Sequence, residues 1–185
     1  MRWERFFEDL EAEADGVVGA ERHAEVVDRA LREVGRQHLT DRLRVAAGQE
    51  IVIRINSAGF VRGTVASTGS GWVLVDESPG GQVLVPIRHV LAVGGLGRKA
   101  AVPGSEGKVG ARLGIAYALR VLARERAGVA VTLVDGGTLT GAIARVGADF
   151  FDLADGYDTA ASTEVRGARS AVPFEAVVLI RRVPG

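Results

Sequence analysis

Apolar residues recur at every second position in two well-separated stretches of the chain. In the first they are Ile51, Ile53 and Ile55, and in the second Val129, Val131 and Leu133. A period of two is the pattern of a half-buried strand, because successive side chains leave opposite faces of the backbone. Each stretch leads into a turn, Asn56-Ser57-Ala58-Gly59 in one case and Asp135-Gly136-Gly137 in the other. Asn and Gly tolerate the positive φ that hairpin turns require.

The landmarks that follow keep the same order in both places. Gly63-Thr64-Val65-Ala66, Gly71-Trp72-Val73-Leu74-Val75-Asp76 and Val85-Pro86-Ile87-Arg88-His89-Val90-Leu91-Ala92-Val93 make up the first series. Gly141-Ala142-Ile143-Ala144, Asp149-Phe150-Phe151-Asp152-Leu153-Ala154-Asp155 and Val172-Pro173-Phe174-Glu175-Ala176-Val177-Val178-Leu179-Ile180 make up the second. This is the pattern of an internal repeat. Gly63 and Gly141 fall inside strand patterns, where glycine marks a bend or bulge, and Pro86 and Pro173 stand at strand starts. Four or five short, strongly bent strands close naturally into a small barrel.

A helix is expected before each barrel. Over residues 20–46, Val27, Leu31 and Val34 form one stripe that Leu39 and Leu43 continue. Residues 108–126 form a second helix, rich in apolar positions around Leu113, Ile115, Tyr117, Leu119 and Leu122. The Gly- and Pro-containing segment 94–107 connects the two halves. Met1–Asp15 is a short amphipathic segment with Trp3, Phe7 and Leu10 on one face. The expected fold is therefore mainly β with helices: two tandem five-stranded barrels, each preceded by an α-helix, plus an N-terminal amphipathic helix. The corresponding divisions are 1–46 (helical arm and helix), 47–94 (first barrel), 95–126 (linker and basic helix) and 127–185 (second barrel).

A helix followed by five strands, with a glycine-started second strand and a late Val-Pro strand, resembles the Sm-like family, a group of SH3-like small barrels that includes Hfq-type proteins. The closest stretch is Val131-Thr132-Leu133-Val134-Asp135-Gly136-Gly137-Thr138-Leu139-Thr140-Gly141-Ala142-Ile143, which looks like the family's first motif. The resemblance extends over residues 128–183 and more loosely over 48–93. It implies ring-forming subunits and single-stranded RNA as ligand. The family's base-binding Asn, however, corresponds to Asp152 or Val73, and neither offers an amide to a base edge. Its late Arg-Gly pair is replaced by Leu84-Val85-Pro86 and Ala171-Val172-Pro173. The fold thus carries over further than the RNA pocket. The whole chain also resembles proteins of high-GC bacteria labelled as Fis-type regulators, although no helix-turn-helix pattern accompanies that label.

Composition changes the picture mainly by exclusion. The 185 residues contain no cysteine, which removes disulfides, thiolate metal sites and a thiol nucleophile. No uncharged apolar run approaches the roughly 20 residues of a membrane span, and the first residues carry no signal-like apolar core, so a soluble cytoplasmic protein is expected. The formal net charge is +0, yet it is unevenly spread. Residues 1–28 hold three Arg against nine acidic residues, whereas residues 94–128 hold seven Lys or Arg against Glu106 and Glu125. Separated charge of this kind points to a partner.

No catalytic constellation is present, and neither a metal nor a cofactor is expected. His23, His38 and His89 sit on separate elements without ligand spacing. Asp149, Asp152, Asp155 and Asp158 lack the alternation of a calcium loop, and the glycine-rich stretches fit neither a phosphate loop nor a nucleophile elbow. Two surfaces remain. Lys108, Arg112, Arg120 and Arg124 fall on one face of the second predicted helix, spaced to track phosphates or to dock the acidic arm. Trp3, Phe6, Phe7 and Leu10 give the arm an apolar face that must be covered by its own barrel, another subunit or a protein partner. The expectation is a non-enzymatic interaction protein that self-associates through strand edges or the N-terminal helix. It binds nucleic acid, RNA before DNA, through the basic helix; the alternative is a protein-binding adaptor or assembly factor without nucleic-acid contact.

Overall fold

The computed structural model describes residues 28–29, 31–102, 113–155 and 169–183. It divides into two compact units, Met1–Gln37 and His38–Gly185. In the smaller unit, residues 28, 29 and 31–34 are helical, with Arg29–Glu33 and Arg32–Asp28 ion pairs along the surface. Leu31 and Val34, expected on a buried stripe, are exposed there. The helix expected to run continuously over 20–46 is interrupted at residues 35–38. Gly35 supplies a weak helix position, and helix α1 (Leu39–Val45) starts afresh behind His38, whose backbone N–H donates to the Asp41 carboxylate at 2.9 Å.

The larger unit is mainly β. Its strands are β1 (Glu50–Ile55), β2 (Gly59–Gly69), β3 (Trp72–Glu77), β4 (Gly81–Pro86) and β5 (Val90–Gly94), then β6 (Gly128–Leu133), β7 (Thr138–Val146), β8 (Phe150–Asp155), β9 (Arg169–Pro173) and β10 (Val177–Arg182). Helix α2 (Ile115–Arg124) precedes β6, and a single 3-10 turn joins β4 to β5 (Ile87–His89) and β9 to β10 (Phe174–Ala176). All ten strands form one antiparallel sheet in the order β5-β1-β2-β3-β4-β10-β6-β7-β8-β9. The two separate closed barrels expected from the sequence are replaced by this continuous, open sheet. The reason is the outer edge of β4, which pairs with β10 from the far end of the chain instead of closing its own half.

Both halves bend by the same means. A Cβ on Gly63 would lie 2.1 Å from the Asp76 carbonyl oxygen, and one on Gly141 would lie 2.3 Å from that of Ala154. Only glycine permits the neighbouring strand to come so close. Two residues beyond each glycine, the register slips by one, between Val65 and Ser67 and between Ile143 and Arg145. Such bulges increase strand twist. The hairpin turns follow their residue types: Ser57 and Gly59 have φ of 57° and 74°, and the Asp135 carboxylate accepts the Gly137 N–H at 2.8 Å.

Two hydrophobic cores result. Leu43 and Ala46 of the α1 region cover Ile51, Ile53, Ile55, Val61, Val65, Val73, Val75, Val83 and Val85. Leu119 of α2 covers Val129, Val131, Ile143, Phe151, Leu153, Val172, Phe174, Val177 and Ile180. The cores exchange side chains where β4 meets β10: Val178 and Leu179 enter the first core, while Trp72 and Leu84 enter the second. A side chain of this size stabilises by about 1.5–3 kcal/mol when fully buried, so the two halves depend on each other. Arg181 adds a two-bond clamp across the junction to Glu77, at 3.1 and 3.2 Å, and the Ser57 hydroxyl donates to the Val134 carbonyl at 2.9 Å.

Candidate nucleic-acid interface

The alternation that buries Ile51, Ile53 and Ile55 turns Arg54 outward on β1, and on β2 the burial of Val61 turns Phe60 and Arg62 outward. Register places Arg54 opposite Phe60 and Val52 opposite Arg62, so the two guanidinium groups and the ring share one face. Phe60 is 67% exposed, and the Arg54 guanidinium carbon lies 6.0 Å from its ring centroid. A cation over an aromatic face is held by the ring's negative quadrupole, which keeps the charge near the stacking surface. Glu50, opposite Thr64, carries the negative charge at the far end of that β1 face. At the corresponding register positions of the other half stand Ala130, Thr132, Thr138 and Thr140, with neither charge nor ring.

The second basic element is α2. Leu119 is fully buried, with Ile115, Ala116, Ala118, Leu122 and Ala123 packed beside it. The opposite face presents Tyr117, Arg120 and Arg124, all exposed. Among the described residues neither arginine forms an ion pair. Gly114 caps the helix and Leu113 before it is not helical, so α2 starts later than the helix expected over 108–126. Arg120 and Arg124 therefore share the predicted face, whereas Lys108 and Arg112 lie outside the described residues. Trp3, Phe6, Phe7 and Leu10 lie outside them as well.

Between β2–β4 and α2 is a cleft of about 300 Å³, walled by Trp72, Leu74, Leu84, Tyr117 and Leu122. The Trp72 indole N–H donates to the Leu113 carbonyl at 2.7 Å, so the ring's one polar group is satisfied and its apolar surface faces the cleft. Arg182 and Glu125 line it too and pair with each other at 2.9 Å.

Asp152 pairs with Arg145 at 2.8 Å. Among the described residues no group of three or more His, Asp or Glu is arranged to hold a metal ion, and no helix is long and apolar enough to cross a membrane. His89 lies in the first 3-10 turn, with Nε2 3.1 Å from the Arg88 Nε and 3.2 Å from the Glu175 carbonyl oxygen. Burial and then the Arg88 charge hold its pKa below the usual 6.5, partly opposed by the hydrogen bond to Glu175.

Phe60 is a residue that sequence reasoning missed. The missed indication was phase. In a strand whose odd positions Val61 and Val65 point inward, Phe60 and Arg62 must share the outward face. The chain matches no protein-family model and no curated protein.

Proposed function

We propose that this chain is a non-enzymatic interaction protein built on duplicated Sm-like units, and that it binds single-stranded nucleic acid, RNA in preference to duplex DNA. The observation that carries this reading is the exposed Phe60 ring with Arg54 above it and Arg62 on the same strand face. Single-stranded ligands are held by such a combination, because bases stack on an exposed ring while guanidinium groups meet the phosphates. The Tyr117, Arg120 and Arg124 face of α2 repeats that pairing of ring and cation. The shared neighbour order of β5-β1-β2-β3-β4 and β10-β6-β7-β8-β9 supports the duplicated-unit reading.

Fluorescence anisotropy with labelled single-stranded RNA and duplex DNA across a salt series tests the proposal. The expected result is tighter binding of RNA that weakens with salt, with log affinity falling by about 0.7 per phosphate contact for every unit of log salt concentration. Arg54→Ala with Arg62→Ala should flatten that dependence. The absence of binding at low salt overturns the reading.

A second reading has its own observation. The cleft beside Trp72 and Tyr117 suits an apolar side chain from a protein partner, as an adaptor without nucleic-acid contact requires. Binding that is insensitive to salt and lost on Tyr117→Ala would favour it.

A further inference from the structure

The face of the first half turned away from its own core is apolar where that of the second half is not. Along β3 and β4, alternation sends Val73, Val75, Val83 and Val85 into the first core and turns Trp72, Leu74, Gln82 and Leu84 to the other side. The second half has Asp152 opposite Ala171 where the first has Leu74 opposite Leu84, and Arg145 engages the Asp152 carboxylate. The helix laid over the apolar face belongs to the second half: Tyr117, Ala118, Val121 and Leu122 of α2 form the opposing wall of the cleft of about 300 Å³. The cleft is thus a product of the joined halves rather than of either one.

Its rim carries charges of both signs. Arg182 ends β10, and Glu125 caps the C-terminus of α2. Their side chains, each a little under half exposed, meet through one contact, Nη1 to Oε2 at 2.9 Å. Among the described residues no other hydrogen bond or ion pair engages either side chain, so Arg182 keeps spare N–H donors and Glu125 a spare carboxylate oxygen. A pair this exposed contributes little to stability. The carbonyl end of α2 favours a positive charge beside Glu125. Gln82 lines the cleft as well, and with its amide N–H donated to Asp76 at 2.9 Å its carbonyl oxygen remains an acceptor.

We propose that this cleft binds a free α-amino acid with an aromatic side chain. The ring lies between Trp72, Leu74 and Leu84 on one wall and Tyr117 and Leu122 on the other. The α-carboxylate meets the spare N–H groups of Arg182, and the α-ammonium meets the spare Glu125 oxygen. The ion pair stays closed, and the ligand completes a ring of charges alternating in sign. Three properties select this class. The volume is at the lower end of the roughly 300–1,000 Å³ of small-molecule sites, which suits one ring with its backbone. Aromatic walls favour an aromatic guest through edge and offset contacts. Adjacent charges of opposite sign match a zwitterion, whereas an internal residue of a protein partner brings neither charge and a chain terminus brings only one.

Isothermal titration calorimetry of the full chain with L-phenylalanine provides the test. The comparison ligands are N-acetyl-phenylalanine amide, which lacks both charges, phenethylamine, which lacks the carboxylate, and 3-phenylpropionate, which lacks the ammonium. The expected result is saturable one-to-one binding of phenylalanine, with each analogue weaker by about tenfold or more, as for the loss of a hydrogen bond to a charged group. Arg182→Gln should bind phenylalanine no better than phenethylamine, and Glu125→Gln no better than 3-phenylpropionate. Both positions are exposed, so thermal midpoints should match the unsubstituted protein, and loss of one discrimination at a time is not what general damage produces. Three outcomes overturn the proposal. They are the absence of saturable heat from millimolar phenylalanine at two temperatures, equally tight binding of the N-acetyl amide, and variants that keep the full discrimination. The second outcome would return the cleft to the apolar side chain of a protein partner. The nucleic-acid reading is decided separately, by anisotropy, since neither variant touches Phe60 or its arginines.

Discussion

The two halves of the sheet share a strand order and differ in what they display on it. Gly63 and Gly141 admit the same close strand approach, the register slips at the same place, and a Pro followed by a 3-10 turn closes each half. Yet Arg54, Phe60 and Arg62 become Thr132, Thr138 and Thr140, and the turn Ile87-Arg88-His89 becomes Phe174-Glu175-Ala176. Positions whose residues match are those where backbone geometry leaves no choice. On the outward face, where the halves diverge, either set of residues fits the strands, and the side chains there are free to serve a ligand or a neighbour. The comparison separates what builds the sheet from what the sheet is used for.

The largest effect that would break the comparison lies at β10. Leu179 is buried across the junction while its counterpart Ala92 is exposed. Leu179→Ala should destabilise the protein by about 2–5 kcal/mol, the usual cost of truncating a buried leucine. Leu91→Ala, on the free edge, should change the stability of the dilute protein by less than about 0.5 kcal/mol. Urea unfolding of both variants measures the difference, and equal losses would mean that β5 is covered as fully as β10.

A somewhat smaller effect is expected on the outer face. Phe60→Ala should weaken single-stranded RNA binding by about 1–3 kcal/mol if a base stacks on the ring, while Thr138→Ala at the matched position leaves binding unchanged. Anisotropy at one fixed salt concentration compares the two. Equal affinities would place the ligand elsewhere, and the exposed face of α2 would be next, through Arg120→Ala with Arg124→Ala.

Much of this architecture is legible in the residues. The alternation of Ile51, Ile53 and Ile55, the Asp135-Gly136-Gly137 turn and the bends at Gly63 and Gly141 each follow from local stereochemistry, and each stands where expected. The pairing of β4 with β10 is a different matter. Alternation fixes which face of a strand is buried but says nothing about which strand occupies its hydrogen-bonding edge, so the two halves read as closed units. The helix start at Ile115 was hidden for a related reason. The apolar positions run back through Leu113 without a break, and only Gly114 marks the boundary. For the candidate site, Arg120 and Arg124 were legible from their spacing. Phe60 was not, because an aromatic residue in a strand is counted toward the core until the phase of its neighbours is followed.

The Arg181–Glu77 clamp should contribute less than the buried leucine, since Arg181 is 41% and Glu77 24% exposed and water screens part of the attraction. Arg181→Ala is expected to cost about 1 kcal/mol, at the upper end for a pair of this exposure, because the contact is made through two parallel hydrogen bonds. The cost should shrink as salt is raised. Thermal unfolding at low and high ionic strength reads this directly. A loss of the same size at both would indicate that the arginine stem, packed along the junction, matters more than its charge.

The smallest effect expected distinguishes the two 3-10 turns by pH. His89 has a folded-state pKa below 6.5, for reasons of burial first and the adjacent Arg88 charge second, and its counterpart Ala176 does not titrate. When the folded pKa lies below the unfolded one, the unfolded chain takes up the proton first as pH falls. The contribution of His89 is therefore fully present above pH 6.5, declines as pH drops below it, and levels off once the folded protein is itself protonated. Substituting glutamine keeps a polar side chain in the first turn and removes the titration, so His89→Gln should flatten that part of the stability profile and leave the neutral-pH midpoint nearly unchanged. If the profiles of the two proteins run parallel below pH 6.5, the titration of His89 does not shape the loss of stability in acid, and the fold is insensitive to the charge on this turn.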